Sequence, residues 1–251
     1  MKKLMAANWK MFKTWDEAQA TARDLVDLAS SALPKDREVL VCPPFTSLRA
    51  VAEAFTGVPR FFVGGQDFYC REEGAFTGEI APGMLLDLGA TFGLTGHSER
   101  RHVIGEGDEL VGEKTAFGLA SGLSVILCIG ELIEERRAGQ VEEVLERQLR
   151  LGLADVPRDI EPQRLCVAYE PVWAIGTGEV AGPREILEAH AFVRKSLVTI
   201  FGDNANEMRV LYGGSVKPSN CAEIIALDNV DGVLVGGASL QGDSFSQIVL
   251  A

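Results

Sequence analysis

This chain lacks paired cysteines, glycosylation signals and any long apolar run. Its five cysteines are scattered, form no CxxC pair, and are accompanied by no Asn-x-Ser/Thr sequon. That pattern is typical of reduced cytosolic proteins and argues against structural zinc and a disulfide framework. The longest uncharged stretch, 115–130, has only 16 residues and contains glycine and serine, so it fits a helix end and a buried strand better than a membrane span. We expect a cytoplasmic location.

Positive charge is also scarce. The chain has 24 Lys and Arg against 36 Asp and Glu, a formal net charge of −12. Nucleic acids and anionic membranes bind basic faces, so neither is expected as a partner. An anionic substrate would have to be captured by local positive groups that act against the overall field.

Short apolar runs alternate with longer amphipathic segments along the whole chain. The short runs are continuously apolar, which indicates parallel strands covered on both faces. Eight such strands are predicted: Leu4–Asn8, Glu38–Cys42, Arg60–Gly64, Thr91–Thr95, Ser124–Ile129, Leu165–Tyr169, Arg209–Gly213 and Gly232–Val235.

Helical patterns separate the strands. A Thr14–Glu17 capping box predicts a helix to about Ser31, and Pro183 opens one that ends near Phe201. A third, charge-laced helix is predicted over Glu131–Leu151, with Gly139 as a point of interruption. Eight strand–helix units predict an α/β protein with an eight-stranded parallel (β/α)8 barrel, a single domain over residues 1–251. A doubly wound open sheet is the alternative.

A barrel builds its active site at the carboxyl ends of its strands, so the residues after each strand matter most. Lys10 follows the first strand, His97 the fourth and Glu170 the sixth. Glycine turns, Gly213-Gly214-Ser215 and Gly236-Gly237, follow the seventh and eighth. Backbone N–H groups in such turns can cradle a phosphate, although paired glycines also make ordinary tight turns.

Glu170 precedes a segment that begins with proline and tryptophan and ends in small residues. A carboxylate at a strand end before a hinged loop predicts an acid/base site with a lid. In the alternative, Glu170 only hydrates the end of the strand. The glycines of the loop lack the spacing of a dinucleotide-binding motif, so we expect no NAD.

The other candidates keep several interpretations. His97 could be a base, an electrophile, a metal ligand or a structural residue, and no HExxH pattern supports a metal. Lys10 could be a surface charge, a Schiff-base amine or a fixed cation for an oxyanion. Glu99 and Arg100 are predicted to form a supporting ion pair, and Cys128 to be a small buried side chain.

These strand-end motifs lie in the order and spacing of one known family across nearly the whole chain. Together they resemble triosephosphate isomerases. The matching stretches are Ala7-Asn8-Trp9-Lys10, Gly74-Ala75-Phe76-Thr77-Gly78-Glu79, Gly96-His97-Ser98-Glu99-Arg100-Arg101, residues 169–178, Tyr212-Gly213-Gly214-Ser215-Val216 and Leu234-Val235-Gly236-Gly237-Ala238-Ser239-Leu240.

The resemblance implies interconversion of dihydroxyacetone phosphate and D-glyceraldehyde 3-phosphate through an enediolate, a step of glycolysis and gluconeogenesis that needs no cofactor or metal. Glu170 would move the proton, neutral His97 would polarise the carbonyl, and Lys10 would supply positive charge beside Asn8.

The same resemblance implies how the phosphate is held. The lid, formed by Ala174, Ile175, Gly176, Thr177 and Gly178, would close over the phosphate through the Gly176 N–H. Ser215, Gly236 and Gly237 would supply the other backbone donors. Closure would exclude water and protect the intermediate.

Family members are generally homodimers, so a dimer is expected, with Thr77 reaching the partner's Asn8 and Lys10 region. Four positions depart from the family pattern: Phe12, Asp67, Glu179 and Lys217. One hypothesis is that Glu179 and Lys217 form an ionic contact that biases the lid. The rival interpretations are an aldolase with a Schiff base on Lys10 and a binding protein on a degenerate barrel.

Overall fold

The eight predicted strands close into one barrel. The computed structural model describes residues 1–174 and 181–251. Each strand pairs in parallel with the next, and β8 pairs in parallel with β1. The (β/α)8 prediction is therefore confirmed and the open sheet is excluded. The strands are β1 (Lys3–Asn8), β2 (Arg37–Cys42), β3 (Phe61–Gly65), β4 (Phe92–Thr95), β5 (Ser124–Ile129), β6 (Leu165–Tyr169), β7 (Arg209–Tyr212) and β8 (Gly232–Val235).

Helices surround the barrel and pack their apolar faces on the outward side chains of the strands. In the described part of the chain, no helix is long and apolar enough to cross a bilayer. The α-helices are α1 (Trp15–Ala29), α2 (Leu48–Phe55), α3 (Pro82–Asp87), α4 (Asp108–Ala120), α5 (Ile133–Arg137), α6 (Val141–Gly152), α7 (Pro183–Phe201), α8 (Cys221–Ile225) and α9 (Gly242–Leu250).

Strands β1 to β4 and β7 differ from the prediction by one residue at one or both ends, and one predicted helix divides into two. Strand β3 begins one residue later than predicted, because Arg60 has a φ of 68° and its guanidinium donates to the carbonyl of Arg37 at 3.1 Å. The segment predicted as one long helix forms two, α5 and α6. Gly139, with a φ of 72°, ends the first of these helices, and it is the residue at which an interruption was predicted.

Alternating residues of the strands fill the interior of the barrel. Leu4 and Ala6 of β1 and Cys166 and Ala168 of β6 belong to this inner cluster. Because side chains alternate along a strand, Asn8 and Glu170 continue these inward rows at the carboxyl end. Strand register therefore brings residues that are far apart in sequence to one mouth.

Candidate active site

A cavity of about 240 Å³ opens at the carboxyl ends of the strands. It joins the residues predicted after β1, β4, β6, β7 and β8. The predicted site residues that line it are Asn8, Lys10, His97, Glu170, Ala174, Ser215, Gly236 and Gly237. The remaining predicted lid residues, Ile175, Gly176, Thr177 and Gly178, lie outside the described residues, as does Glu179.

Glu170 and His97 are in direct contact within this cavity. His97 Nε2 lies 3.2 Å from Glu170 Oε1, and the Ser98 backbone N–H donates to Glu170 Oε2 at 2.9 Å. Both side chains are almost fully buried. A carboxylate and an imidazole therefore lie within hydrogen-bonding distance in a largely buried site, an arrangement suited to acid/base chemistry.

The backbone determines which nitrogen of His97 carries the proton. The Glu99 N–H points at His97 Nδ1 at 3.3 Å, so Nδ1 acts as an acceptor. In the neutral ring the proton is then on Nε2, which faces Glu170 and the cavity. The geometry thus favours the tautomer that can donate from Nε2.

Glycine makes room for Glu170 on two sides. A Cβ on Gly213 would lie 2.7 Å from Glu170 Cγ, and one on Gly130 would lie 1.7 Å from the Glu170 carbonyl oxygen. A side chain at either position would displace the carboxylate or its strand. These glycines serve close approach rather than turn formation.

Lys10 has a left-handed backbone, with a φ of 53°. Two amide side chains hold it there. Asn8 Oδ1 accepts the Lys10 N–H at 3.0 Å, and Gln66 Nε2 donates to the Lys10 carbonyl at 2.8 Å. Such backbone is costly for a residue other than glycine and persists where the surroundings impose it. Gln66 was not predicted to belong to the site, although its position just after β3 is the signal that could have indicated it.

The Lys10 ammonium is held by Glu99, whose Oε1 lies 2.7 Å from Nζ. A Cβ on Gly236 would lie 3.2 Å from Lys10 Cε, so the lysine reaches the glycine turn after β8. The predicted Glu99–Arg100 ion pair was therefore wrong. Neighbouring residues in this turn point to different sides, and Arg100 pairs elsewhere.

Arg100 belongs to a buried cluster beneath the loops of the site. Its Nη2 lies 3.0 Å from Asp67 Oδ2 and 2.6 Å from Glu106 Oε1. Lys114 Nζ contacts the same two carboxylates at 2.8 and 2.5 Å. Burial raises the pKa of Asp67 to about 6, against the partial compensation of Lys114. Burial also opposes ionisation of Glu106, but hydrogen bonds from Arg100 and Lys114 lower its pKa.

A second buried carboxylate anchors the start of the predicted lid. Glu131 is completely buried, and its Oε1 accepts from Trp173 Nε1 at 2.8 Å and from Tyr169 Oη at 3.2 Å. Arg136 Nη1 lies 3.2 Å from the same oxygen, and its guanidinium stacks over the Trp173 ring at 4.8 Å. Sequence reasoning missed Glu131, because it was assigned to a helix rather than to this contact.

The other predicted residues divide between interior and surface. Cys128 is completely buried inside the barrel and does not line the cavity. Thr77 is exposed on the loop after β3. In the described part of the chain, no group of three or more His, Cys, Asp and Glu side chains could hold a metal ion.

Fold and site together define a (β/α)8-barrel protein with a carboxylate–imidazole pair, a fixed lysine and two glycine turns at one mouth. The family model for triosephosphate isomerase matches residues 3–251. The chain therefore belongs to the triosephosphate isomerase family.

Curated relatives match this chain in sequence over almost their whole lengths. The chain is 65% identical to the triosephosphate isomerase of Nitratidesulfovibrio vulgaris Miyazaki F and 61% identical to that of Oleidesulfovibrio alaskensis, each over 251 residues and 100% of both chains. The protein of that name from Lawsonia intracellularis is 47% identical over 251 residues, covering 100% of this chain and 98% of its own.

Proposed function

We propose that the chain interconverts dihydroxyacetone phosphate and D-glyceraldehyde 3-phosphate, the triose step of glycolysis and gluconeogenesis, with Glu170 as the base. The observation that carries the proposal is the 3.2 Å contact between His97 Nε2 and Glu170 Oε1 in a cavity that Lys10 also lines. Family membership supports a phosphorylated triose as the substrate.

In this mechanism Glu170 removes a proton from C1 of dihydroxyacetone phosphate. The electron pair of that C–H bond forms a double bond between C1 and C2. The π electrons of the carbonyl move onto its oxygen, which becomes the enediolate oxygen. His97 donates its Nε2 proton to the oxygen on C2 and takes the hydroxyl proton from the oxygen on C1. Glu170 then returns its proton to C2 while the C1–O bond becomes the carbonyl of the aldehyde. To reach carbon, the Glu170 carboxylate exchanges its hydrogen bond from Ser98 N–H for the substrate C–H. A carboxylate can deprotonate carbon only if the developing oxyanion is stabilised as it forms.

His97 and Lys10 supply that stabilisation. The Nε2 proton of neutral His97 is available for the substrate oxygens, and Lys10 places a positive charge beside them. Asn8 and Gln66 position the lysine through its backbone. The turns at Ser215 and at Gly236-Gly237 line the same cavity. They are assigned to the phosphate, together with Gly176 of the lid.

The Schiff-base alternative is less compatible with the environment of Lys10. A Schiff base needs a neutral amine, whereas Glu99 at 2.7 Å stabilises the charged ammonium. A binding protein on a degenerate barrel would have no reason to retain the buried Glu170–His97 pair.

We also propose a cytoplasmic homodimer made of one domain per chain. All five cysteines are free and buried, which suits a reducing compartment. Large apolar side chains are exposed on loops after the first four strands, including Met11 at 94% and Val103 at 78%. Exposed apolar clusters of this kind mark association surfaces. Thr77 lies on a loop of the same half and is proposed to contact the partner.

A coupled assay in both directions tests the activity. We expect Glu170→Gln to lower kcat by at least about a thousandfold, because an amide cannot accept the proton. Exposed Glu143→Gln on α6 removes the same charge and should change nothing. An inactive wild type, or an active Glu170→Gln variant, would refute the proposal.

A further inference from the structure

The substrate of the proposed reaction and this protein repel each other. A phosphate monoester carries about two negative charges at neutral pH. The chain has a formal net charge of −12. A dianion that approaches it must cross an unfavourable field unless the mouth of the cavity carries local positive charge.

Among the described residues, the charged side chains that line the cavity are Lys10, Glu170 and Lys217. Lys10 is compensated, because Glu99 lies 2.7 Å from its ammonium. Glu170 then leaves a surplus negative charge at the cavity. Lys217 offsets it, and in the described part of the chain no carboxylate oxygen lies within 4 Å of its ammonium to form an ion pair. Among the described residues that line this mouth, Lys217 is thus the cation without a direct ion-pair partner.

The backbone fixes where Lys217 begins. Its N–H donates to Asn220 Oδ1 at 2.7 Å, and Asn220 Nδ2 donates to the Ser215 carbonyl at 3.2 Å. Asn220 therefore ties Lys217 to the same turn that carries Ser215. The Lys217 side chain is exposed, so its ammonium can move into the path of an entering anion.

We propose that Lys217 is a further phosphate-recognising residue, which draws the dianionic group of the substrate to the turn after β7. This inference rests on the proposed function. Lys217 acts on capture rather than on proton transfer, because the acid/base pair lies at Glu170 and His97. It therefore contributes to kcat/KM and to discrimination in favour of phosphorylated substrates.

Neutralising Lys217 tests this role. At an ionic strength of about 0.01 M we expect Lys217→Gln to lower kcat/KM by roughly 3- to 10-fold, and Lys217→Glu by more. Lys217→Arg should retain the wild-type value. The loss should shrink at about 0.2 M, where screening is strong, and kcat should fall less than kcat/KM. The control is Lys35→Gln, an exposed lysine before β2 at the opposite end of the barrel, for which we expect no change.

The uncharged substrate D-glyceraldehyde separates charge recognition from a structural defect. Its deprotonation, followed by deuterium exchange, should be equally fast in wild type and Lys217→Gln. A pairing of Lys217 with Glu179 is tested by repeating the substitution in a Glu179→Gln background, where we expect the same loss.

Four results would each overturn the inference. Lys217→Gln could lose as much activity with D-glyceraldehyde as with the phosphorylated substrate, or lose no kcat/KM at low salt. Lys35→Gln could show the same loss of kcat/KM, or Glu179→Gln could abolish the loss. An inactive wild type would overturn the proposed function and this inference with it. An active wild type with an unaffected Lys217→Gln would overturn only the inference.

Discussion

At the scale of single residues, Lys10 shows most clearly how the site is imposed on the chain. Lysine has no intrinsic preference for a φ of 53°, yet its backbone is held there by hydrogen bonds on both sides. The side chain is thereby aimed at the cavity, where Glu99 and the Gly236 turn receive it. The position of the cation depends on neutral amides that themselves carry no charge.

Removing one of those amides should therefore impair catalysis. We expect Gln66→Met to lower kcat/KM by about tenfold, because one to two kcal/mol of hydrogen bonding to the Lys10 and Cys42 carbonyls is lost. Steady-state kinetics measures the effect. Gln247→Met, on the exposed face of α9, is the matched control. Wild-type kinetics in Gln66→Met would show that Lys10 needs no such support.

Asp67 should make stability depend on pH. Its pKa in the folded protein is about 6, above its ordinary value of 3.8, so the folded state binds the proton more tightly than the unfolded state. The stabilisation from protonated Asp67 is complete below pH 4 and is lost as pH rises through about 6. The shift corresponds to about 3 kcal/mol.

The test compares wild type with Asp67→Asn, which cannot titrate. Denaturant unfolding between pH 4 and 8 should show the stability of wild type falling relative to the variant by a few kcal/mol as pH rises. A stability difference that is constant with pH, or that runs the other way, would contradict this assignment.

At the scale of elements, the junction between β5 and β6 determines where the base lies. The Glu170 N–H donates to the carbonyl of Ile129, the last residue of β5, at 2.7 Å. Gly130, which follows Ile129, has no room for a side chain. The inward row of β6 then directs Glu170 to the cavity.

Gly130→Ala should consequently disturb the site. A Cβ there would lie 1.7 Å from a backbone oxygen, so β6 must move, and we expect at least a hundredfold lower kcat together with lower thermal stability. Gly83→Ala is the control, because a Cβ at Gly83 meets no atom within 4 Å. A Gly130→Ala variant with normal turnover would disprove the importance of this close approach.

Much of this arrangement was predictable from the sequence, for physical reasons. The bounds of β5, β6 and β8 match the predicted ones, because buried parallel strands are continuous apolar runs flanked by polar or glycine residues. Strand ends then indicated Lys10, His97 and Glu170. What could not be predicted were contacts between distant segments.

Glu131 and Arg100 illustrate that limit. Two partners of Glu131, Tyr169 and Trp173, lie 38 and 42 residues away, and Arg100 pairs with Asp67 rather than with its neighbour. Such pairings follow from barrel closure and from the direction of each turn. The local structural propensity of a segment indicates neither the closure of the barrel nor the direction of a turn.

At the scale of the whole molecule, exposed apolar side chains are concentrated on one half of the barrel. Val103 and Ile104 follow β4, and Met11 follows β1; each is more than half exposed. A monomer would leave these side chains in water, whereas association would bury them. The proposed dimer explains why they are retained in a chain that is otherwise strongly charged.

Sedimentation and light scattering test the association. We expect wild type to be dimeric at micromolar concentration and Val103→Asp to shift it toward monomer, because a charge would be buried in the interface. Leu187→Asp, on the partly exposed surface of α7, should leave the dimer intact. A monomeric, fully active wild type would contradict the proposal.

The central claim, proton transfer at carbon by Glu170, is tested most directly in heavy water. Wild type should convert dihydroxyacetone phosphate into D-glyceraldehyde 3-phosphate with deuterium at C2, since Glu170 exchanges its proton with solvent before returning it. Glu170→Gln, with an unchanged circular dichroism spectrum, should abolish that incorporation. Product formed without deuterium in wild type, or deuterium incorporated at the wild-type rate by Glu170→Gln, would contradict the account.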